Sequence, residues 1–311
     1  MSLRIVAGSA GGALAGAVAA ALDTEPVAAD LERFPDGELR PSVDGVQGAD
    51  LYLVQHTGPP VNDHVVELLL LLDACGRAGA GRITAVVPYF GYARQDRRRQ
   101  AGDAIGIRVV ADALASAGAH RLIVVDPHTA ALEAICEIPV EMLTAVPVLA
   151  RALGQKIPAG AVVVAPDLGA VKLAQHYGRL LSSPVAVVRK IRLTGTSVTA
   201  EELIGEVRGR PAVIVDDMIS TGGTIEAAVE ALLNQGVAPE ITVAATHGLL
   251  VEAAEQRLSR SSIPELVVTD TIPQHDRPTL PLSVCSVAPL LADAIGRLHR
   301  DEPLDDLLGH A

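Results

Sequence analysis

The richest chemistry in the chain lies between Ala212 and Thr224, Ala-Val-Ile-Val-Asp-Asp-Met-Ile-Ser-Thr-Gly-Gly-Thr. A short apolar run, the pattern of a buried strand, ends in two adjacent carboxylates, Asp216 and Asp217. Ser220, Thr221, Gly222, Gly223 and Thr224 then set hydroxyls and bare backbone N–H groups ahead of a helix-like stretch. A helix start offers unpaired N–H groups and the positive end of the helix dipole, so this loop suits a phosphate. Glycine lets the backbone approach the anion without a Cβ in the way. Carboxylates do not bind phosphate; they suit sugar hydroxyls, or a metal that bridges to phosphate. Phosphate at one end and hydroxyls at the other describe a ribose 5-phosphate. A plain strand–cap–helix junction with Ser or Thr as the N-cap accounts for the loop but not for the doubled Asp.

Other strand ends carry polar groups too. Pro88-Tyr89-Phe90-Gly91-Tyr92-Ala93-Arg94-Gln95-Asp96-Arg97 follows the apolar run Ile83–Val87. Aromatic surface beside Arg94, Gln95 and Asp96 offers stacking and charge-assisted hydrogen bonds, as a nucleotide site does. The Arg97-Arg98-Arg99 run reads equally well as a solvated basic face. Phe34-Pro35-Asp36-Gly37-Glu38 has turn chemistry and, standing alone, reads as a hairpin tip. His128 closes Val124-Val125-Asp126-Pro127-His128, and a surface or core histidine is the ordinary reading. Asp167, in Pro166-Asp167-Leu168-Gly169-Ala170, would serve as a helix cap. Lys190 and Arg192 stand two apart, so they share one face of an extended segment. A small polar stretch, Leu193-Thr194-Gly195-Thr196-Ser197, follows them and is expected to be mobile.

These groups need elements to hold them. Apolar β-branched runs at Leu3–Ala7, Leu51–Gln55, Ile83–Val87, Leu122–Val125, Val162–Ala165, Val185–Val188, Ala212–Val215, Ile241–Ala245 and Leu266–Thr269 alternate with helix-like segments. The latter include Leu14–Leu22, Val61–Gly79, Ile105–Ala117, Thr224–Gln235 and Val251–Leu258. Strands apolar on both faces and alternating with helices imply parallel sheets covered on both sides. The fold class is α/β, with two tandem doubly wound parallel-sheet domains, 1–145 and 146–311, of about five strands each. Ligands of such sheets sit beyond the carboxyl ends of the strands, where the polar groups fall.

Composition excludes several classes. With 37 acidic and 25 basic side chains the net charge is -12, so nothing draws the chain to nucleic acid or an anionic membrane. An anion must be held by a local pocket. The Ala/Gly-rich stretch to Leu22 resembles a signal peptide, but it reads better as strand, turn and helix, and no membrane span is expected. Cys75, Cys136 and Cys285 are scattered, which argues against a disulfide scaffold and for a reducing compartment, the cytoplasm. No GxxxxGK[ST] string is present, so the chain is not a Walker-type kinase.

The segment 212–224 resembles the phosphoribosyl-diphosphate-binding motif of phosphoribosyltransferases and ribose-phosphate diphosphokinases. The segment 88–97 resembles the ATP-site signature of the diphosphokinases, and the resemblance extends over nearly the whole chain. It implies two domains of phosphoribosyltransferase type. It implies ATP-dependent diphosphoryl transfer to the 1-hydroxyl of ribose 5-phosphate, giving 5-phosphoribosyl 1-diphosphate and AMP. ATP would be bound by Arg94, Gln95 and Asp96, and by Phe34, Asp36 and Glu38 on a hairpin that reaches a neighbouring subunit of a homo-oligomer. Ribose 5-phosphate would sit on Asp216, Asp217, Ser220, Thr221, Gly222, Gly223 and Thr224. His128 and Asp167 would hold Mg²⁺, and Lys190 and Arg192 would be the catalytic pair on a flexible loop. Pro127, Ala170, Ser220 and the segment Arg97–Ala104 depart from the family's common form. A Cβ at Ala170 would crowd the diphosphate, and the other departures leave the regulatory class open. A phosphoribosyltransferase and a non-catalytic regulatory homologue stand as alternatives at this point.

Overall fold

Runs apolar on both faces become the inner strands. The computed structural model describes residues 1–192, 199–261 and 263–309. The chain begins β1 (Leu3–Ala7), α1 (Gly12–Ala21), β2 (Pro26–Arg33), β3 (Leu39–Val43) and β4 (Asp50–Val54). It continues α2 (Val61–Arg77), β5 (Arg82–Val87), α3 (Gly106–Ser116), β6 (Arg121–Val125), α4 (Ala131–Ile135) and β7 (Val140–Leu143). These strands form one sheet, in the order β3-β2-β1-β4-β5-β6-β7. Every pairing is parallel except β2 with β3. β4 is buried along its whole length, as a central parallel strand must be.

The second half repeats this plan. After α5 (Val146–Gly154) come β8 (Val162–Ala165), α6 (Val171–Leu180), β9 (Val185–Arg192), β10 (Thr199–Ile204) and β11 (Ala212–Ile219). Then follow α7 (Gly223–Asn234), β12 (Ile241–Gly248), α8 (Ala254–Arg260), β13 (Glu265–Thr269), β14 (Leu282–Cys285) and α9 (Ala288–His299). The sheet order is β10-β9-β8-β11-β12-β13-β14, the first order shifted by seven. Each sheet therefore has seven strands where the apolar runs suggest five. The additional strands lie at the edges. β2 and β3 alternate exposed and half-buried residues, so neither presents a continuous apolar run.

The compact units are not contiguous in sequence. One comprises Met1–Thr144, Thr271–Pro273 and Ser286–Ala311; the other comprises Ala145–Asp270 and Gln274–Cys285. Helix α5, which follows β7, packs on α6 and on β12, β13 and β14 of the second unit. Helix α9, which follows β14, packs on α1 of the first. A buried ionic knot pins α9 there. The β4–β5 register sets Asp50 opposite Arg82. The fully buried Asp50 carboxylate accepts from Arg82 Nε at 2.6 Å and Nη2 at 2.7 Å, and His299 Nδ1 lies 2.7 Å away. Burial opposes the charge on Asp50, but the Arg82 and His299 hydrogen bonds outweigh it and hold the carboxyl below its ordinary range.

Candidate active site

Pairing in the second sheet decides where its polar groups emerge. Ile214 opposite Val164 is the last pair between β11 and β8, so Asp216 and Asp217 stand beyond the carboxyl end of that pairing. The Asp217 backbone N–H donates to Asp216 Oδ1 at 2.9 Å, which holds the Asp216 carboxylate against the chain that follows it. Burial, then the Asp217 carboxylate, and to a smaller extent Asp167, push Asp216 up to about 8. Burial and the neighbouring carboxylate thus both oppose full ionisation of the pair. Like charges this costly to hold together suit hydroxyl donors or a divalent cation.

The loop beyond them is built as a row of donors. Leu250 N–H and Val251 N–H donate to the carbonyls of Ile219 and Ser220, at 3.0 and 3.1 Å. Arg257 Nη1 donates to the Thr221 carbonyl at 2.6 Å, and Glu226 N–H donates to the Gly222 carbonyl at 2.9 Å. Four successive carbonyls are thereby occupied. Among the described residues, no protein acceptor is bonded to the N–H groups of Thr221, Gly222, Gly223 or Thr224. Gly222 is the N-cap of α7 at φ 77, and no side chain caps the helix. The hydroxyls of Ser220, Thr221 and Thr224 are therefore not spent on capping. Left-handed backbone at this cap requires glycine, and a Cβ there would meet Leu258 at 3.1 Å.

Asp167 sits on the exposed loop between β8 and α6. Its Oδ1 accepts from the N–H groups of Gly169, at 2.8 Å, and Ala170, at 3.2 Å. Ala170 itself is turned into the protein. The residue is 6% exposed and belongs to the core that α5 and α6 share with the sheet. Lys190 and Arg192 lie on β9 past the last residue that pairs with β8, opposite Glu201 and Thr199 of β10. Their backbone is placed; their side chains and the segment 193–198 lie outside the described residues.

The first sheet assembles its own cluster. Phe34–Glu38 is the tip of the β2–β3 hairpin, as its turn residues suggest. The Phe34 N–H donates to the Glu38 carbonyl at 2.8 Å, and the Glu38 N–H to Asp36 Oδ1 at 3.1 Å. Arg40 stands 5.4 Å from the centre of the Phe34 ring and is ion-paired with Glu32, its cross-strand partner. Arg94 and Gln95 are exposed after β5, and Asp96 is half-buried. His128 is exposed after β6, past Asp126 at φ 38. The aromatics of 88–97 behave differently from the stacking surface expected. Tyr89 is 5% and Phe90 2% exposed, and Phe90 is part of the core. They anchor the segment, and Tyr92, at φ 66, is the half-exposed one. Nothing in the sequence marks Arg257, Glu226 and Leu250, because residues that grip a loop from behind have no motif of their own.

Metal ligation fits the donors in part. A carboxylate at Asp167 and an imidazole at His128 belong to separate units, and Mg²⁺ commonly takes one or two protein ligands, with waters and substrate phosphates completing its shell. No group of three potential metal-binding side chains occurs among the described residues.

Comparison with known proteins agrees along the whole chain. The family model for the N-terminal domain of ribose phosphate pyrophosphokinase matches residues 3–118, and the phosphoribosyl synthetase-associated domain matches 197–309. The ribose-phosphate pyrophosphokinase of Caldanaerobacter subterraneus subsp. tengcongensis is 40% identical over 301 residues, 96% of this chain and 95% of the relative. That of Rhodopirellula baltica is 42% identical over 310 residues, 98% of each chain. The crystal structure of phosphoribosylpyrophosphate synthetase from Mycobacterium smegmatis superposes with a TM-score of 0.90 at 36% identity, covering 97% of this chain and 100% of that one.

Proposed function

The chain belongs to the ribose-phosphate pyrophosphokinase family, and from that premise we propose how its residues make 5-phosphoribosyl 1-diphosphate and AMP from ATP and ribose 5-phosphate. The observation that carries the reading is the pairing of Asp216 and Asp217 with the row of unoccupied N–H groups at the start of α7. The 5-phosphate lies on the N–H groups of Thr221–Thr224, with the hydroxyls of Ser220, Thr221 and Thr224 around it. The carboxylates of Asp216 and Asp217 accept from the ribose hydroxyls, which fixes the far end of the sugar.

Held at both ends, the sugar presents its 1-hydroxyl to the β-phosphorus of ATP. The new bond joins the 1-oxygen to β-phosphorus, the bond from β-phosphorus to the α,β-bridging oxygen breaks, and AMP leaves. The hydroxyl proton passes to solvent. Lys190 and Arg192 offset charge that builds on the transferring group, an effect concentrated in the transition state. Arg94, Gln95 and Asp96 bind ATP, and Phe34 stacks on its base, with Asp36 and Glu38 accepting from the amine or ribose. We assign Mg²⁺ to His128 and Asp167, where it would screen the triphosphate against the sugar phosphate.

The hairpin reads best as serving a neighbouring subunit, so the active form is a homo-oligomer. No helix among the described residues is long and apolar enough to cross a membrane. A cytoplasmic setting fits the free thiols of Cys75, Cys136 and Cys285. The test is AMP release with ATP, ribose 5-phosphate and Mg²⁺. AMP formed only in the presence of the sugar phosphate is expected. Release without it, or consumption of phosphoribosyl diphosphate with a nucleobase instead, overturns the reading.

A further inference from the structure

We propose that Arg257, outside the motif that binds the sugar phosphate, is the positioning residue that aims this motif's N–H groups. The proposal rests on the reading of 220–224 as the ribose-phosphate loop. A trans peptide points its C=O and the following N–H in opposite directions. A donor that holds the Thr221 carbonyl from one side therefore turns the Gly222 N–H out on the other. Arg257 Nη1 is that donor, at 2.6 Å. The neighbouring carbonyls of Ile219, Ser220 and Gly222 are held by backbone N–H groups. Thr221 differs, because its carbonyl is held by a side chain carried on a separate helix, α8.

The guanidinium is itself held. Its Nε lies 3.1 Å from Glu226 in the first turn of α7, and Arg260 Nη2 lies 3.7 Å from the same carboxylate. A carboxylate in that first turn also favours the helix electrostatically, so the pair has a reason to stay charged. One Arg thus binds both sides of the left-handed Gly222, with the carbonyl before it and the side chain four residues after it. Glycine at φ 77 is free to flip, since both signs of φ are open to it. A peptide flip at Thr221–Gly222 would turn a carbonyl toward the phosphate. Arg257 opposes that flip in the empty enzyme, so binding need not supply the ordering.

The test compares Arg257→Gln, Arg257→Lys and Glu226→Gln with wild type in steady-state assays and by calorimetry with ribose 5-phosphate alone. Arg257→Gln is expected to raise KM for ribose 5-phosphate about tenfold, the scale of one charge-assisted hydrogen bond. KM for ATP and kcat should stay within about twofold, because uniform binding is what is lost. Arg257→Lys should recover part of the affinity, as one ammonium can reach the carbonyl but not the carboxylate as well. Glu226→Gln, which keeps the Thr221 contact, should have the smaller effect. Unchanged ribose 5-phosphate binding in Arg257→Gln overturns the proposal, and so does an equal rise in both KM values. Should Arg257→Gln not fold, the same two criteria apply to Arg257→Lys. Failure of the wild type to release AMP would count against the functional reading instead. Binding of inorganic sulfate by wild type and Arg257→Gln then decides the loop question, with weaker binding in the variant supporting the proposal and equal binding refuting it.

Discussion

Asp216→Asn should make the substrate-free protein more stable and leave it inactive. A carboxyl raised in the folded state contributes stability below its ordinary 3.8 and loses it as pH rises through about 8. Each pH unit in that window costs about 1.4 kcal/mol, so some 4 kcal/mol at most accumulates between pH 5 and pH 8. The amide keeps an oxygen for the Asp217 N–H and carries no proton to lose. In melts free of divalent cations and substrates, the pH-dependent gap between wild type and variant should vanish below about pH 4 and grow from there. By pH 8 the gap should widen in favour of the variant by about 8–16 °C, at ~2–4 °C per kcal/mol for a domain of this size. Turnover should fall, because an amide also donates where the ribose hydroxyls need acceptors. A gap that stays constant with pH, or a variant less stable at pH 8, would refute the reasoning that this pair stores repulsion for a ligand to relieve.

Lys190→Ala should lower kcat at least tenfold with little change in either KM; a kcat within about threefold of wild type, under ~0.7 kcal/mol, removes Lys190 from catalysis. Gly222→Ala should cost about 1–2 kcal/mol in urea titrations, from left-handed backbone plus the approach to Leu258, and raise KM for ribose 5-phosphate. The chain contains no Trp, so Phe34→Trp supplies a single indole that can be excited selectively over the tyrosines, and ATP should quench it if the hairpin tip stacks on the base. Arg82→Met strips a buried carboxylate of its bidentate partner and should destabilise by about 3 kcal/mol at pH 7. That loss should shrink as pH falls below the ordinary carboxylate range, since Asp50 contributes stability only while ionised.

Legibility in the sequence followed burial and local bonding. Central strands such as Ile83–Val87 show themselves because both faces are apolar. β2 does not, because a hairpin beyond the sheet edge is half solvated. The doubled Asp and the Ser-Thr-Gly-Gly-Thr loop are contiguous, so their chemistry is visible in a line of text. Arg257 reaches the same loop from 36 residues away, and a basic residue on a short helix looks like any other solvated charge. Tyr89 and Phe90 misled for the opposite reason. Aromatic character says that a side chain can stack, but only packing says on what. The methyl of Ala170 shows the same limit, since the direction of its Cβ decides whether it obstructs a ligand or fills the core.

The return of α9 to the first unit constrains how the protein is made. A ribosome finishes β1 through β7 early, yet the helix that covers α1 and supplies His299 to Asp50 is translated only after the whole second unit. Domains ordinarily fold in order of synthesis, the amino-terminal one first. Here the earlier domain must wait with one apolar flank open, and the later one can close before it.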